Sequence, residues 1–399
     1  MRGSRRTYAA VTALMTCLIV VISACSSATT ESRQASSCIT TFDANTDYFP
    51  TKVMPEQADN FSVSYHKSYA VLTVKQPSPG ASPRSYVLVQ CGAPKPALAD
   101  SLRSAPQITV PVTSFFAGST TQVPPIVDIG GLDQLTGVAD GSLISNTAVA
   151  KRVSDGQVAV YARGGTIDVE SVLAANPGVV MTDGVDAPEY NKLAQAGIGV
   201  VAGADWLEST PLGRAEWIKV IALLTGHEAK ANEIYAGVRD RYRDIAARAR
   251  DAQPVEVLTG TMYQGTWSAP AGGSYFGALL ADARASWPWQ DRSGTGPVSL
   301  GFESVYTAGG QLRLWLVIDN TWQRTADIVA ADSRYGTLAA VREGQVWNAN
   351  KAMGATGGND YLERGATRPD LVLGDLVAIV HPTIEPNHEF TFYQRLPQS

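Results

Sequence analysis

The chain has 399 residues, 45% of them hydrophobic and 17% charged, which is a globular composition and not a disordered one. That length allows two or three domains or two large lobes, with a core that needs no staples. It carries 32 Lys and Arg against 37 Asp and Glu, a net charge of −5 that becomes −8 without Arg2, Arg5 and Arg6, so an acidic body with no basic stripe argues against a nucleic-acid partner.

Those three arginines precede an apolar run from Ala9 to Ile22, too short for a membrane span and closed by small residues, so residues 1–24 read as an export leader. Its end, Ile22-Ser23-Ala24-Cys25, is similar to a bacterial lipobox, in which Cys25 is lipidated after cleavage before it. Export by the general or the twin-arginine route stays open, because Ser4-Arg5-Arg6-Thr7-Tyr8 matches the latter signal only in part. The protein is expected at the extracytoplasmic face of the cell membrane, held by lipid alone. Of the four cysteines, Cys17 leaves with the leader and Cys25 is spent on the anchor. Cys38 and Cys91 remain in an oxidising compartment, where a bridge between them and two free thiols are both open.

Residues 25–55, rich in Ser, Thr and Ala at their start, read as a flexible tether. A small β extension follows over residues 56–105: Phe61, Val63 and Tyr65 alternate, and Tyr69 to Val74 and Tyr86 to Val89 are β-type runs. Gln76 to Pro83 forms the hairpin loop between these two runs.

Strand–helix alternation then begins, which predicts βα units around a largely parallel sheet. In residues 106–226 the expected strands are Ile108 to Val112, Gly137 to Ala139, Val179 to Met181 and Gly199 to Val201, with helices at Asp168 to Ala175 and Glu189 to Ala196. Residues 227–250 contain no proline and one glycine, and Ile234, Val238, Tyr242 and Ile245 mark one helical face. About 24 residues at 1.5 Å each make a strut of roughly 36 Å. Alternation resumes in residues 251–399, with strands at Val255 to Thr259, Leu314 to Ile318 and Gln345 to Trp347. Helices are predicted there at Tyr275 to Asp282, Phe302 to Thr307 and Arg368 to Val380. The Glu-Ser-Val sequences at Glu170 and Glu303 each precede a β-type run, so the two blocks read as related lobes.

No G-x-S-x-G elbow, phosphate loop or H-E-x-x-H motif occurs, and the Gly-Gly pairs read as turns, so an exported hydrolase is a remote alternative and no cofactor is expected. His381, Glu385 and His388 flank two prolines and read as a rigid turn rather than a metal site. None of the eight tryptophans precedes Trp206. Trp267, Trp287, Trp289 and Trp322 lie in loop-like surroundings, where flat aromatic area suits a bulky planar or hydrophobic ligand.

The stretches Glu208-Ser-Thr-Pro-Leu-Gly-Arg-Ala-Glu-Trp-Ile-Lys219, Gly357-Gly-Asn-Asp-Tyr-Leu-Glu363 and Arg368-Pro-Asp-Leu-Val-Leu-Gly-Asp-Leu376 make the chain from Val110 onward resemble the solute-binding lipoproteins of ABC importers for iron–siderophores, haem and cobalamin. The β extension is similar to one found in the same branch. The resemblance implies an α/β fold of two lobes on one rigid helix, a ligand cleft between them, a monomer, and capture and delivery to a permease without catalysis. The cleft residues expected are Phe115, Phe116, Tyr263, Trp267, Trp287 and Trp322, with Asp360 and Tyr361 adding polar contacts. It further implies one permease-docking glutamate per lobe, which falls here on Glu170 and Glu303. A surface binding or sensing lipoprotein without a transporter is the alternative on the same fold.

Overall fold

The computed structural model describes residues 38–398, so the leader, Cys25 and the first part of the expected tether lie outside the described residues. Among the described residues no helix is long and apolar enough to cross a membrane.

The described part of the expected tether, residues 38–55, is fastened as a strap. Cys38 is disulfide-bonded to Cys91, 53 positions on, and the Ile39 amide donates to the Cys91 carbonyl. Phe49 and Val53 are buried, and Asn232 on the long helix donates to the Lys52 carbonyl. Residues 38–55 are thus tied down at these points, while most of the segment, Phe42 and Met54 included, stays exposed.

Strands Phe61–His66, Tyr69–Val74 and Arg84–Gln90 pair antiparallel, with the loop where the sequence puts it. The expected first lobe strand, Ile108 to Val112, instead becomes Gln107–Val110, a parallel fourth strand of this sheet beside Arg84–Gln90. Its burial explains the difference: Ile108 and Val110 are buried while Gln107 and Thr109 are exposed, the alternation of a sheet covered on one face. Phe61, Leu72, Tyr86 and Ile108 share one core with the lobe behind them, so the extension is fused to that lobe.

The N-terminal lobe is built on five strands in the order Val200–Val201, Val179–Met181, Phe115–Ala117, Leu135–Val138, Ala159–Val160, all parallel. Phe115–Ala117 is buried at every residue, as a central parallel strand covered on both faces must be. In the C-terminal lobe the stretch Val255 to Thr259 serves two sheets. Val255–Glu256 pairs with Ala285–Ser286, and Leu258–Thr259 pairs with Trp315–Val317, which continues to Val346–Asn348 and antiparallel Gln394–Arg395. A three-stranded antiparallel ribbon, Thr261–Tyr263, Thr266–Pro270 and Pro297–Leu300, stands beside them. The helices Val169–Ala175 and Phe302–Gly309 each lead into the strand flanked on both sides by parallel neighbours, Val179–Met181 and Trp315–Val317. The repeated Glu-Ser-Val therefore occupies corresponding places in the two lobes.

Glu228–Ala249 forms one unbroken helix of 22 residues. Ala231, Tyr235 and Val238 enter the core of the first lobe, while Tyr242 and Ala249 enter that of the second, so the helix belongs to both. Ile234 and Ile245, expected on its buried face, lie at the edges of those cores. At its start, burial pushes the Glu228 carboxyl from its ordinary 4.5 up to about 7. Because the folded value is raised, this group's contribution is fully present below about pH 4.5 and is lost as pH rises through about 7. Glu228→Gln should therefore match the wild type in thermal unfolding at pH 4 and exceed it at pH 8. Parallel pH profiles for the two proteins would overturn this reading.

Candidate functional site

Ligands of parallel α/β sheets lie beyond the carboxyl ends of the strands. In the N-terminal lobe three such loops each present one exposed apolar side chain: Leu143 after Leu135–Val138, Val185 after Val179–Met181, and Trp206 after Val200–Val201, at 53%, 57% and 40% exposure. The loops are tied together from below. Gln122 donates to the Thr182 carbonyl at 2.7 Å and accepts from the Gly118 amide at 3.0 Å, and the Trp206 indole donates to the Asp183 carbonyl at 3.1 Å. Gly184, at φ +77°, lies so close beneath that indole that a Cβ would sit 2.5 Å from its nitrogen, so only glycine fits.

On the C-terminal lobe the ribbon Thr261–Tyr263 and Thr266–Pro270 follows strand Leu258–Thr259 directly. Its register pairs Thr261 with Ser268, Met262 with Trp267, and Tyr263 with Thr266. Side chains alternate across a strand, so Thr261, Ser268 and Tyr263 share one face, and Met262 and Trp267 take the other. Tyr263 is the most exposed large hydrophobic side chain among the described residues at 75%, while Trp267 is fully buried.

A cavity of about 340 Å³ opens beside this ribbon, lined by C-terminal-lobe residues except for Arg214, at the low end of the volumes typical for small-molecule sites. Thr261, Ser268, Tyr275, Tyr361, Leu316 and Ile318 are among its lining residues, and Arg214 joins them from the helix Pro211–Ala215. The Arg214 Nε donates to Asp205 at 3.1 Å and its guanidinium lies 5.0 Å from the centre of the Tyr275 ring. Burial works against the Arg214 charge, and the adjacent Asp205 carboxylate outweighs it. Burial pushes the Tyr275 hydroxyl up to about 12 and that of Tyr361 higher still, so both remain protonated donors at neutral pH.

Beside the cavity a second seam joins the lobes. Glu363, buried, accepts from the Ser145 and Asn146 amides, and Thr356 donates to the Ile144 carbonyl at 2.6 Å. Gly358 allows the loops to touch, since a Cβ there would lie 2.4 Å from the Leu143 carbonyl oxygen. The Gly-Gly-Asn-Asp-Tyr stretch therefore fastens the lobes as well as edging the cleft.

The expected cleft residues separate into two groups. Tyr361 lines the cavity, Tyr263 is exposed on the adjoining ribbon outside it, and Asp360 faces the seam, where it pairs with Arg364 and accepts from the Ser145 hydroxyl at 3.3 Å. Phe115, Phe116, Trp267, Trp287 and Trp322 are corrected to interior positions. The two phenylalanines lie within the central strand itself. Trp267 stacks on Trp315 at 5.6 Å and donates to the Thr259 carbonyl, Trp322 packs edge-on against Trp315 and Tyr335, and Trp287 donates to the Pro270 carbonyl. Each indole near a loop is thus used by its own lobe. Leu143, Val185, Trp206 and Arg214 were not expected. Trp206 carried a readable signal, since it closely follows a predicted strand.

Glu170 and Glu303 are both exposed in the first turns of their helices. Asp168 already caps the first helix, accepting from the Ser171 amide and hydroxyl, so Glu170 is not needed there.

Residues 117–352 match the family model described as periplasmic binding protein. An uncharacterised lipoprotein of Methanocaldococcus jannaschii is 24% identical over 287 residues, 69% of this chain and 66% of that one, so the chain spans just under two thirds of that relative's length. Among solved structures, a periplasmic binding protein of Veillonella parvula superposes with a TM-score of 0.56 at 14% identity, covering 79% of this chain and 99% of the other. A periplasmic haem-binding protein of Pseudomonas aeruginosa gives 0.53 at 19% identity over 68% and 94%. At these identities the structural likenesses concern the fold.

Proposed function

The chain belongs to the periplasmic binding protein family, and from that premise we propose that it is a lipid-anchored extracytoplasmic receptor that captures an iron–siderophore, haem or corrinoid and delivers it to an ABC importer. The observation that carries the proposal is the arrangement of the two lobes on one 22-residue helix, with exposed Leu143, Val185 and Trp206 at one set of strand ends and Tyr263 at the other. Exposed apolar and aromatic side chains at the strand ends, with a small cavity whose mostly apolar lining carries a few polar groups, suit a bulky ligand with a polar end. The name of the Pseudomonas relative supports a chelate ligand. The lipoprotein name of the archaeal relative supports the anchor at Cys25, which lies outside the described residues. The long helix and the Glu363 seam together favour small motions of the lobes on binding, because each is a rigid connection.

Titration with haem, cobalamin and a ferric siderophore, followed by tryptophan fluorescence and calorimetry, tests the ligand class. One of the three should bind saturably. Trp206→Ala or Tyr263→Ala should weaken that binding by about 2 kcal/mol, the loss typical of a central aromatic anchor. Buried Trp287→Phe should leave it unchanged. No binding of any of the three would overturn the assignment.

A further inference from the structure

Of the nine phenylalanines, all within the described residues, only Phe42 is exposed, at 38%. Its exposure is arranged by the loop that carries it. The Asp43 carboxylate accepts from the Asn45 amide at 2.9 Å and the Thr46 hydroxyl at 3.1 Å, and the Asp43 amide donates to the Tyr48 hydroxyl at 2.8 Å. The loop so closed lays the Tyr48 ring against Phe42, 5.8 Å apart and nearly parallel. The Tyr48 amide donates to the Lys67 carbonyl at 2.7 Å, which seats the loop on the turn between Phe61–His66 and Tyr69–Val74. There His66 stacks on Tyr69 at 4.4 Å, with the Lys67 side chain exposed between them in sequence. One end of the β extension thus carries four aromatic rings, and none of them lines the cavity. The chain from the membrane arrives at the same end. The Gln90 amide donates to the Ser68 carbonyl in that turn, and the next residue, Cys91, holds Cys38. Phe42 is four residues beyond Cys38, at most about 14 Å of chain, and Cys25 is thirteen residues before it, at most about 47 Å.

We propose, resting on the lipid anchor of the reading above, that this aromatic end of the β extension makes a second, direct contact with the surface of the bilayer. Tyrosine and histidine present an apolar ring with a polar edge, the combination suited to headgroup depth, and a lysine beside them reaches toward lipid phosphates. Asp43 and Asp47 share the loop with Phe42, so the surface it fits is zwitterionic rather than strongly anionic. Four rings fall well short of the roughly 20–30 residues a side that a stable protein interface uses. The contact need not be tight. A short covalent link holds a second site at an effective concentration of about a millimolar, so even a weak contact is occupied once the lipid is inserted. Two attachments would hold the receptor in one orientation above the membrane, whereas lipid alone leaves it free to turn.

The full lipidated chain carrying Phe42→Trp tests this by fluorescence on phosphatidylcholine vesicles, with and without bromine near the headgroup end of the acyl tails. The substitution keeps an aromatic ring at an exposed position, so folding is not at risk. Subtracting the signal of the wild-type chain, with its eight tryptophans, isolates the introduced indole. Its emission should be blue-shifted on vesicles and largely lost when the tails are brominated. Unshifted, unquenched emission from a chain that floats with the vesicles would overturn the inference and leave the anchor standing. A blue shift without bromine quenching means that protein covers the residue, a second copy included, and this too overturns the bilayer contact. A chain that does not float with the vesicles removes the anchor, and the bilayer contact falls with it.

Discussion

Uptake by cells carrying Glu170→Lys together with Glu303→Lys should fall by at least about tenfold, while the purified double variant binds ligand with unchanged affinity. The expectation follows from placement. Both carboxylates are exposed, they occupy corresponding helix starts in the two lobes, and neither lines the cavity. A helix-start acid is worth about 0.3–1 kcal/mol through the helix dipole, too little for two reversals to unfold the protein. At an interface whose permease side is basic, reversal replaces two attractions with two repulsions and slows encounter as well as weakening docking. Ligand affinity and the membrane-bound amount of each variant separate docking from folding and anchoring. Single reversals should give intermediate uptake. Normal uptake by the correctly anchored double variant would remove both residues from the docking assignment.

Glu216→Ala should be the most damaging single change to stability, costing about 3–5 kcal/mol in urea unfolding. Glu216 is fully buried, and its two oxygens accept from the amides of Glu56, Gln57 and Ala58 at 2.7–3.0 Å. Its partner Lys219, also buried, reaches it at 2.6 Å and lies over the Tyr235 ring. Truncation leaves three amides without their acceptor and takes from the buried lysine its nearest carboxylate, leaving it Glu56 at 3.1 Å and the Met54 carbonyl at 2.9 Å. Eight residues earlier Glu208 does the same for the Asp59 and Asn60 amides and the Trp217 indole. The stretch from Glu208 to Lys219 is therefore the clamp that fastens residues 56–60, and through them the β extension, to the N-terminal lobe. Adding Lys219→Met to Glu216→Ala should restore part of the loss, because a buried charge that has lost its nearest partner is gone. Equal stability of Glu216→Ala and wild type would show that the clamp contributes nothing.

Much of this was written locally. Alternation at Phe61, Val63 and Tyr65 and two dense β-type runs placed the strands of the extension, and Tyr275–Asp282 has the helix limits read from its sequence. The long helix announced itself through 24 residues without proline, and the family resemblance through three short motifs. These features rest on contacts within a strand or a turn, or on residue identity alone. The site did not, because it depends on which side of an element faces which neighbour. Phe115 and Phe116 read as rim residues until the sheet order made their strand central. Trp267 and Tyr263, four residues apart in one ribbon, exchange interior for cleft through the register with Thr266 and Ser268. Likewise Glu216 and Glu363 are ordinary exposed-type residues in the sequence, and only folding brings them to backbone amides 158 and 218 positions away. Composition and periodicity determined the elements, and three short motifs the family resemblance; the cavity, its arginine and the two lobe fastenings were decided by tertiary packing, since a hydrogen bond between distant segments leaves no local pattern to read.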